Sequence, residues 1–156
     1  MALEPSQDER FMRQALELAQ QARQCGEVPV GALVVFRERI VGQGWNRPID
    51  THDPTAHAEI VALRAAGQAM GSYRLEGALL YVTLEPCAMC VGAMLHARIG
   101  RLVFGAWDPK AGACGSVLDL PRERAFNHRL DVFGGVLSEE CGALLSAFFS
   151  DRRQGA

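Results

Sequence analysis

The sequence predicts a layered α/β domain built on one mixed, five-stranded sheet flanked by helices. Short apolar, β-branched runs alternate along it with longer stretches of helical period, the pattern of layered α/β chains. The first two runs stand only Arg37-Glu38-Arg39 apart, the spacing of an antiparallel hairpin. The third, residues 79–84, runs into a helical stretch before the fourth begins, and a strand-helix-strand unit of that kind is parallel.

The first helix spans residues 7–24, where Phe11, Met12, Ala15, Leu18, Ala19 and Ala22 recur at helical intervals and Gly26 supplies a stop. Residues 28–36 read as a buried strand and 40–45 as its hairpin partner, with Asn46 emerging at the end. A loop over 47–54, holding two prolines and two aspartates, leads to a helix that ends near Gly71, with Thr55 as its candidate N-cap. The third strand, 79–84, is continuous in apolar and β-branched residues and runs straight into Pro86, which opens the next helix. Residues 101–106 form a fourth strand, 108–127 are irregular, 132–136 form a short fifth strand, and Ser138 opens a last helix through about Arg152. No repeat or linker interrupts this order, so a single domain over residues 1–156 is expected.

Composition narrows the function. A chain of 156 residues buries about two thirds of its unfolded surface without help from a metal, so a metal motif in it points to chemistry. With 22% charged and 49% hydrophobic residues the chain is not a disordered one. No run approaches the roughly 18 apolar residues of a membrane span, and the amino terminus lacks a secretion signal; the expected location is cytoplasmic, with no membrane partner. Five cysteines, an odd number in such a chain, favour reduced thiols. The net charge of −2 lends no direct support to nucleic-acid binding, so the distribution of basic side chains matters more than their sum.

The chemistry concentrates in His57-Ala58-Glu59 and Pro86-Cys87-Ala88-Met89-Cys90. One imidazole and two thiolates suit zinc, and three protein ligands leave a coordination position at which water can be activated. Cys87 and Cys90 fall on one face of a first helical turn, where free amides and the dipole favour thiolates. His57 and Glu59, about 200° apart around a helix, can converge only at a helix start. Both motifs then lie at strand carboxyl ends, where ligands of α/β sheets bind. The alternative is a zinc staple with Glu59 as a capping carboxylate.

H-x-E followed by P-C-x-x-C is the signature of the zinc nucleobase deaminases. Longer runs, Glu27-Val28-Pro29-Val30-Gly31-Ala32, Gly44-Trp45-Asn46-Arg47-Pro48, His52-Asp53-Pro54-Thr55-Ala56-His57-Ala58-Glu59-Ile60 and Tyr81-Val82-Thr83-Leu84-Glu85-Pro86-Cys87, resemble the bacterial tRNA-specific adenosine deaminases. The likeness continues through Arg98-Ile99-Gly100-Arg101, Val103-Phe104-Gly105-Ala106, Asn127-His128-Arg129 and Phe148-Phe149, nearly the whole chain.

That resemblance implies a three-layer α/β/α cytidine deaminase-like fold and a single CMP/dCMP-type deaminase domain. It implies one Zn2+ per subunit on His57, Cys87 and Cys90, with Glu59 as the catalytic proton shuttle, and conversion of adenosine to inosine at the wobble position of a tRNA anticodon, the arginine tRNA being the expected one. Substrate contacts are expected from Asn46, from the backbone of Ala58, from Val28 and Leu84 as apolar walls, and from Asp108, Asn127 and Arg152. For these the alternatives are a strand-end turn at Asn46, core packing at Val28 and Leu84, a loop turn at Asp108 and a solvated helix end at Arg152. Trp107 stands where the family usually has a basic residue, and an aromatic there can stack on a base. The partners implied are the tRNA anticodon stem-loop and a second copy in a homodimer, with residues 91–95 as a candidate contact. Rival functions are a free guanine or cytosine deaminase of the same superfamily and a non-catalytic, zinc-stabilised RNA-binding module.

Overall fold

A computed structural model describes residues 6–155. Helix α1, Gln7–Gln24, is capped by the Ser6 hydroxyl, which accepts from the Glu9 amide at 3.1 Å. Strands β1, Gly31–Phe36, and β2, Arg39–Trp45, follow as a hairpin. A short helix α2, Pro48–Thr51, precedes α3, Ala58–Met70; β3, Leu79–Leu84, leads into α4, Ala88–Ala97. Strand β4, Arg101–Ala106, a 3-10 turn at Leu120–Arg122, β5, Asp131–Phe133, and α5, Ser138–Gln154, complete the chain.

The sheet runs β2-β1-β3-β4-β5, antiparallel from β2 to β3 and parallel from β3 to β5, so it is mixed and five-stranded as expected. Alternation sorts its side chains into two cores. Ala32, Val34, Leu80, Val82, Leu102 and Phe104 meet α3 and α4 on one face. Leu33, Val35, Tyr81 and Val103 meet α1 and α5 on the other, which makes three layers. The helices lie close to the sheet: a Cβ on Gly31 would fall 2.1 Å from the Ala15 carbonyl oxygen, and one on Gly42 would fall 2.4 Å from that of Ala62. The Tyr81 hydroxyl donates to Asp8 at 2.7 Å, and Arg101 grips the same carboxylate with two bonds of 3.0 and 2.8 Å, fastening α1 to the central strands.

Several boundaries differ from expectation for local reasons. Residues 28–30 stay outside β1 because Pro29 has no N–H and the Val30 amide turns back to the Val28 carbonyl at 2.9 Å. The hairpin turn is two residues long, with Arg37 and Glu38 both at positive φ, 51° and 66°, so Arg39 belongs to β2. Within the loop before α3, Pro48 starts the helical turn of α2. Thr55 is not the N-cap of α3: its amide and hydroxyl both donate to Asp53, and His57 takes the cap position. Likewise Pro86 precedes α4 and Cys87 is its N-cap. Strand β5 sits one residue early and stops before Gly134, where a Cβ would collide with Phe104 and Trp107.

Candidate active site

The two motifs meet because both ligand-bearing helices start at one end of the sheet. His57 and Cys87 are extended N-cap residues, at φ −70°, ψ 156° and φ −78°, ψ 174°, so each side chain leaves ahead of its helix axis. Cys90 lies in the first turn of α4 and is fully buried. His57 Nδ1 stands 3.6 Å from each sulfur. A tetrahedral zinc with bonds of about 2.3 Å to sulfur and about 2.0–2.1 Å to nitrogen requires a sulfur-nitrogen separation of about 3.6 Å. The donor set therefore fits zinc, and among the described residues these three side chains form the metal-competent group.

The three side chains share protons with one another. A hydrogen bond from the Cys90 thiol, supported by His57, lowers the Cys87 thiol to about 4, whereas Cys90 keeps its proton more tightly because it hydrogen-bonds Cys87 and is buried. The His57 imidazole is held above its ordinary range by the Cys87 hydrogen bond. Glu59, only 4% exposed, follows His57 into the first turn of α3. Burial pushes its carboxyl up to about 7; a dication held by the three ligands would oppose that rise.

His57, Glu59 and Cys87 line a cavity of about 210 Å³ together with Val28, Val30, Asn46, Leu84, Glu85, Asp108 and Ala111. Two of the three metal-competent side chains, His57 and Cys87, thus share a concave, partly apolar space with the Glu59 carboxyl, the combination expected where water attacks a planar base.

Residues 5–106 match the family model described as the cytidine and deoxycytidylate deaminase zinc-binding region. The tRNA-specific adenosine deaminase of Haemophilus influenzae is 55% identical over 148 residues, which cover 94% of this chain and 86% of the relative. The chain belongs to the tRNA-specific adenosine deaminases. The Bacillus subtilis member is 46% identical across 96% of this chain and 92% of its own. A structure solved in work on A-to-I editing by tRNA:A34 deaminases at the wobble position superposes with a TM-score of 0.85 at 44% identity, covering 87% of this chain and 99% of the other.

In this deaminase the expected contact residues separate into two groups. Val28, Asn46, Leu84 and Asp108 line the cavity, and Val28 and Leu84 also pack on the core. Ala58 is buried between His57 and Glu59; its amide precedes the first helical hydrogen bond of α3, from Val61 to His57, and so has no acceptor within the helix. Asn127 and Arg152 do not line the cavity. The segment holding Asn127 returns to the beginning of β4, where the neighbouring His128 meets the Ile99 carbonyl at 2.6 Å. Arg152 donates to the Gly26 carbonyl and lies over the Phe148 ring, tying α5 to the end of α1.

Trp107 is exposed and held edge-on against Phe104 with ring centroids 4.7 Å apart. Phe148 faces the core and its neighbour Phe149 faces solvent. Of residues 91–95, Val91, Met94 and Leu95 belong to the core, which leaves Gly92 and Ala93 partly exposed.

Sequence reasoning missed Val30, Ala111 and above all Glu85. A carboxylate closing an otherwise apolar buried strand demands partners, and that was the available signal. Burial raises the Glu85 pKa, but hydrogen bonds from the Ser116 hydroxyl and the amides of Asp108, Ser116 and Cys114 outweigh it and hold the carboxyl below the usual range.

Proposed function

We propose that the cavity receives the wobble adenosine of a tRNA anticodon, the arginine tRNA foremost, and converts it to inosine with release of ammonia. The observation that carries this reading is Glu59 lining the same cavity as His57 and Cys87. His57, Cys87 and Cys90 hold zinc, which supplies the Lewis acidity that makes water a usable nucleophile near neutral pH. Glu59 accepts the proton that water loses as its oxygen attacks C6 and passes it to ring N1; it then takes the proton of the new C6 hydroxyl and gives it to the N6 amine, which leaves as ammonia as C6=O forms. Asn46 offers an amide donor and acceptor to the base or its ribose, and the Ala58 amide a donor near the ligands. Val28 and Leu84 press on the faces of the base, which keeps bulk water from it. Asp108 accepts from the ribose 2′-hydroxyl, and Asn127 and Arg152 act outside the cavity, on the anticodon stem-loop.

Residues 1–156 act as one deaminase domain, in the cytoplasm, where tRNA is available. The enzyme works as a homodimer. Supporting this is a partly apolar groove of about 400 Å³ beside α3 and α4, lined by Ile60, Leu63, Tyr73, Ala93 and His96 among others. Light scattering on the purified protein tests the stoichiometry.

Comparing inosine release from an arginine-tRNA anticodon stem-loop with ammonia release from free adenine, guanine and cytosine tests the substrate. Turnover of the stem-loop alone supports the reading; turnover of a free base in its place would assign the cavity to a nucleobase deaminase.

A further inference from the structure

Two buried carboxylates, Glu59 and Glu85, line the cavity, and only one is available for proton transfer. Glu85 Oε1 accepts from the Asp108 amide at 2.9 Å and from the Ser116 hydroxyl; Oε2 accepts from the amides of Cys114 at 3.0 Å and Ser116 at 3.1 Å. Four donors meet the roughly four lone-pair directions of an ionised carboxylate, leaving none for a substrate proton. All four come from residues 108–116, the loop that brings Asp108 and Ala111 to the cavity. Gly112 closes on the same group: a Cβ there would lie 2.3 Å from Glu85 Cδ.

The loop has no regular secondary structure apart from an isolated bridge between Cys114 and Asp119. Its other fastenings include the Ala113 amide on the Pro86 carbonyl at 2.8 Å and the Asp108 side chain on the amides of Lys110 and Ala111, at 3.0 and 3.3 Å. Glu85 therefore holds the Asp108 amide, while the Asp108 carbonyl accepts from the Gly112 amide at 3.0 Å within the same loop.

We propose that Glu85 is a positioning residue for RNA binding: its carboxylate holds the 108–116 loop as a cavity wall and sets substrate affinity through Asp108. This rests on the reading of Asp108 as a ribose contact. A glutamine at 85 is nearly the same size, but its NH₂ faces backbone N–H donors and cannot accept from them.

The test uses zinc-loaded, full-length protein and an anticodon stem-loop, with Glu85→Gln, Asp108→Ala, the double variant and Ser116→Ala. Glu85→Gln should keep one zinc per chain and raise KM about tenfold with kcat within about twofold. Amide exchange at Asp108, Cys114 and Ser116 should accelerate. The double variant should lose no more affinity than Asp108→Ala, because both act at one point. Should Glu85→Gln fold poorly, Ser116→Ala, which removes the hydroxyl donor to Glu85 Oε1, should raise KM about threefold with kcat unchanged. Multiplying losses in the double variant, or faster exchange with unchanged KM, would overturn the inference. An inactive parent protein would overturn the functional reading and this inference with it; an active parent with unchanged variants would overturn this inference alone.

Discussion

His57 Nδ1 and Cys87 Sγ lie 3.6 Å apart across thirty residues of sequence, each projecting from the N-cap of its own helix. Two helix amino termini thus converge on one point, and the positive ends of both dipoles favour thiolate there. His57→Ala or Cys87→Ala should bind less than one zinc per chain and fall to background activity while far-UV circular dichroism stays native, since both side chains are only partly buried. Removal of zinc by a chelator should have the same effect and be reversed by zinc. Metal analysis beside inosine formation checks this; full activity without metal would remove the ligand assignment.

With Asp108 accepting from the ribose 2′-hydroxyl, as proposed, its carboxylate tells RNA from DNA. Its Oδ1 already accepts the amides of Lys110 and Ala111, so Asp108→Asn preserves the turn and changes the charge offered to a ribose. On an RNA hairpin kcat/KM should fall about tenfold or more, as for a lost hydrogen bond to a charged group, and on the DNA version it should change little. Equal relative losses would return Asp108 to the role of a loop aspartate.

How much of this was legible in the sequence follows from where the determinants lie. Strands β3 and β4 match their expected limits because an apolar, β-branched run between breakers has one physical reading. The metal trio was legible because its donor types and spacing are chemically restrictive. What stayed hidden depends on tertiary partners. Arg37 and Glu38 take positive φ without the Gly or Asn that announces such a turn, and Thr55 looks like a cap until Asp53 claims its hydroxyl. Glu85 is anonymous until the loop that satisfies it returns from more than twenty residues downstream.

Close helix-sheet approach makes Gly42 intolerant of a side chain. Gly42→Ala, with its Cβ 2.4 Å from the Ala62 carbonyl oxygen, should destabilise the fold by about 1–3 kcal/mol or more. Gly142, inside α5 with nothing within 4 Å of its Cβ position, offers the control. Gly142→Ala should stabilise by about 0.5–1 kcal/mol through helix propensity. Urea unfolding at one zinc concentration measures both; equal effects would contradict the packing described.

The buried thiols make stability pH-dependent on the alkaline side. Burial pushes Cys141 and Cys114 each up to about 12, from an unfolded value of about 8.5. The folded state therefore holds these protons more tightly. Their contribution is complete below about pH 8.5 and is lost as pH climbs toward 12, by at most about 1.4 kcal/mol per unit for each thiol. Denaturant unfolding at pH 8 and pH 10 should show the decline, and Cys141→Ala should reduce its slope; an unchanged slope would contradict the assignment.

The central claim is that Glu59 carries protons for a zinc-activated water and does not merely cap a helix. Its most direct test is inosine formation in an anticodon stem-loop by Glu59→Ala, measured beside zinc content and circular dichroism. The account predicts one zinc per chain, a native spectrum and a rate lower by about 10²–10⁴-fold or more. Turnover equal to that of the parent protein, with zinc retained, would contradict it.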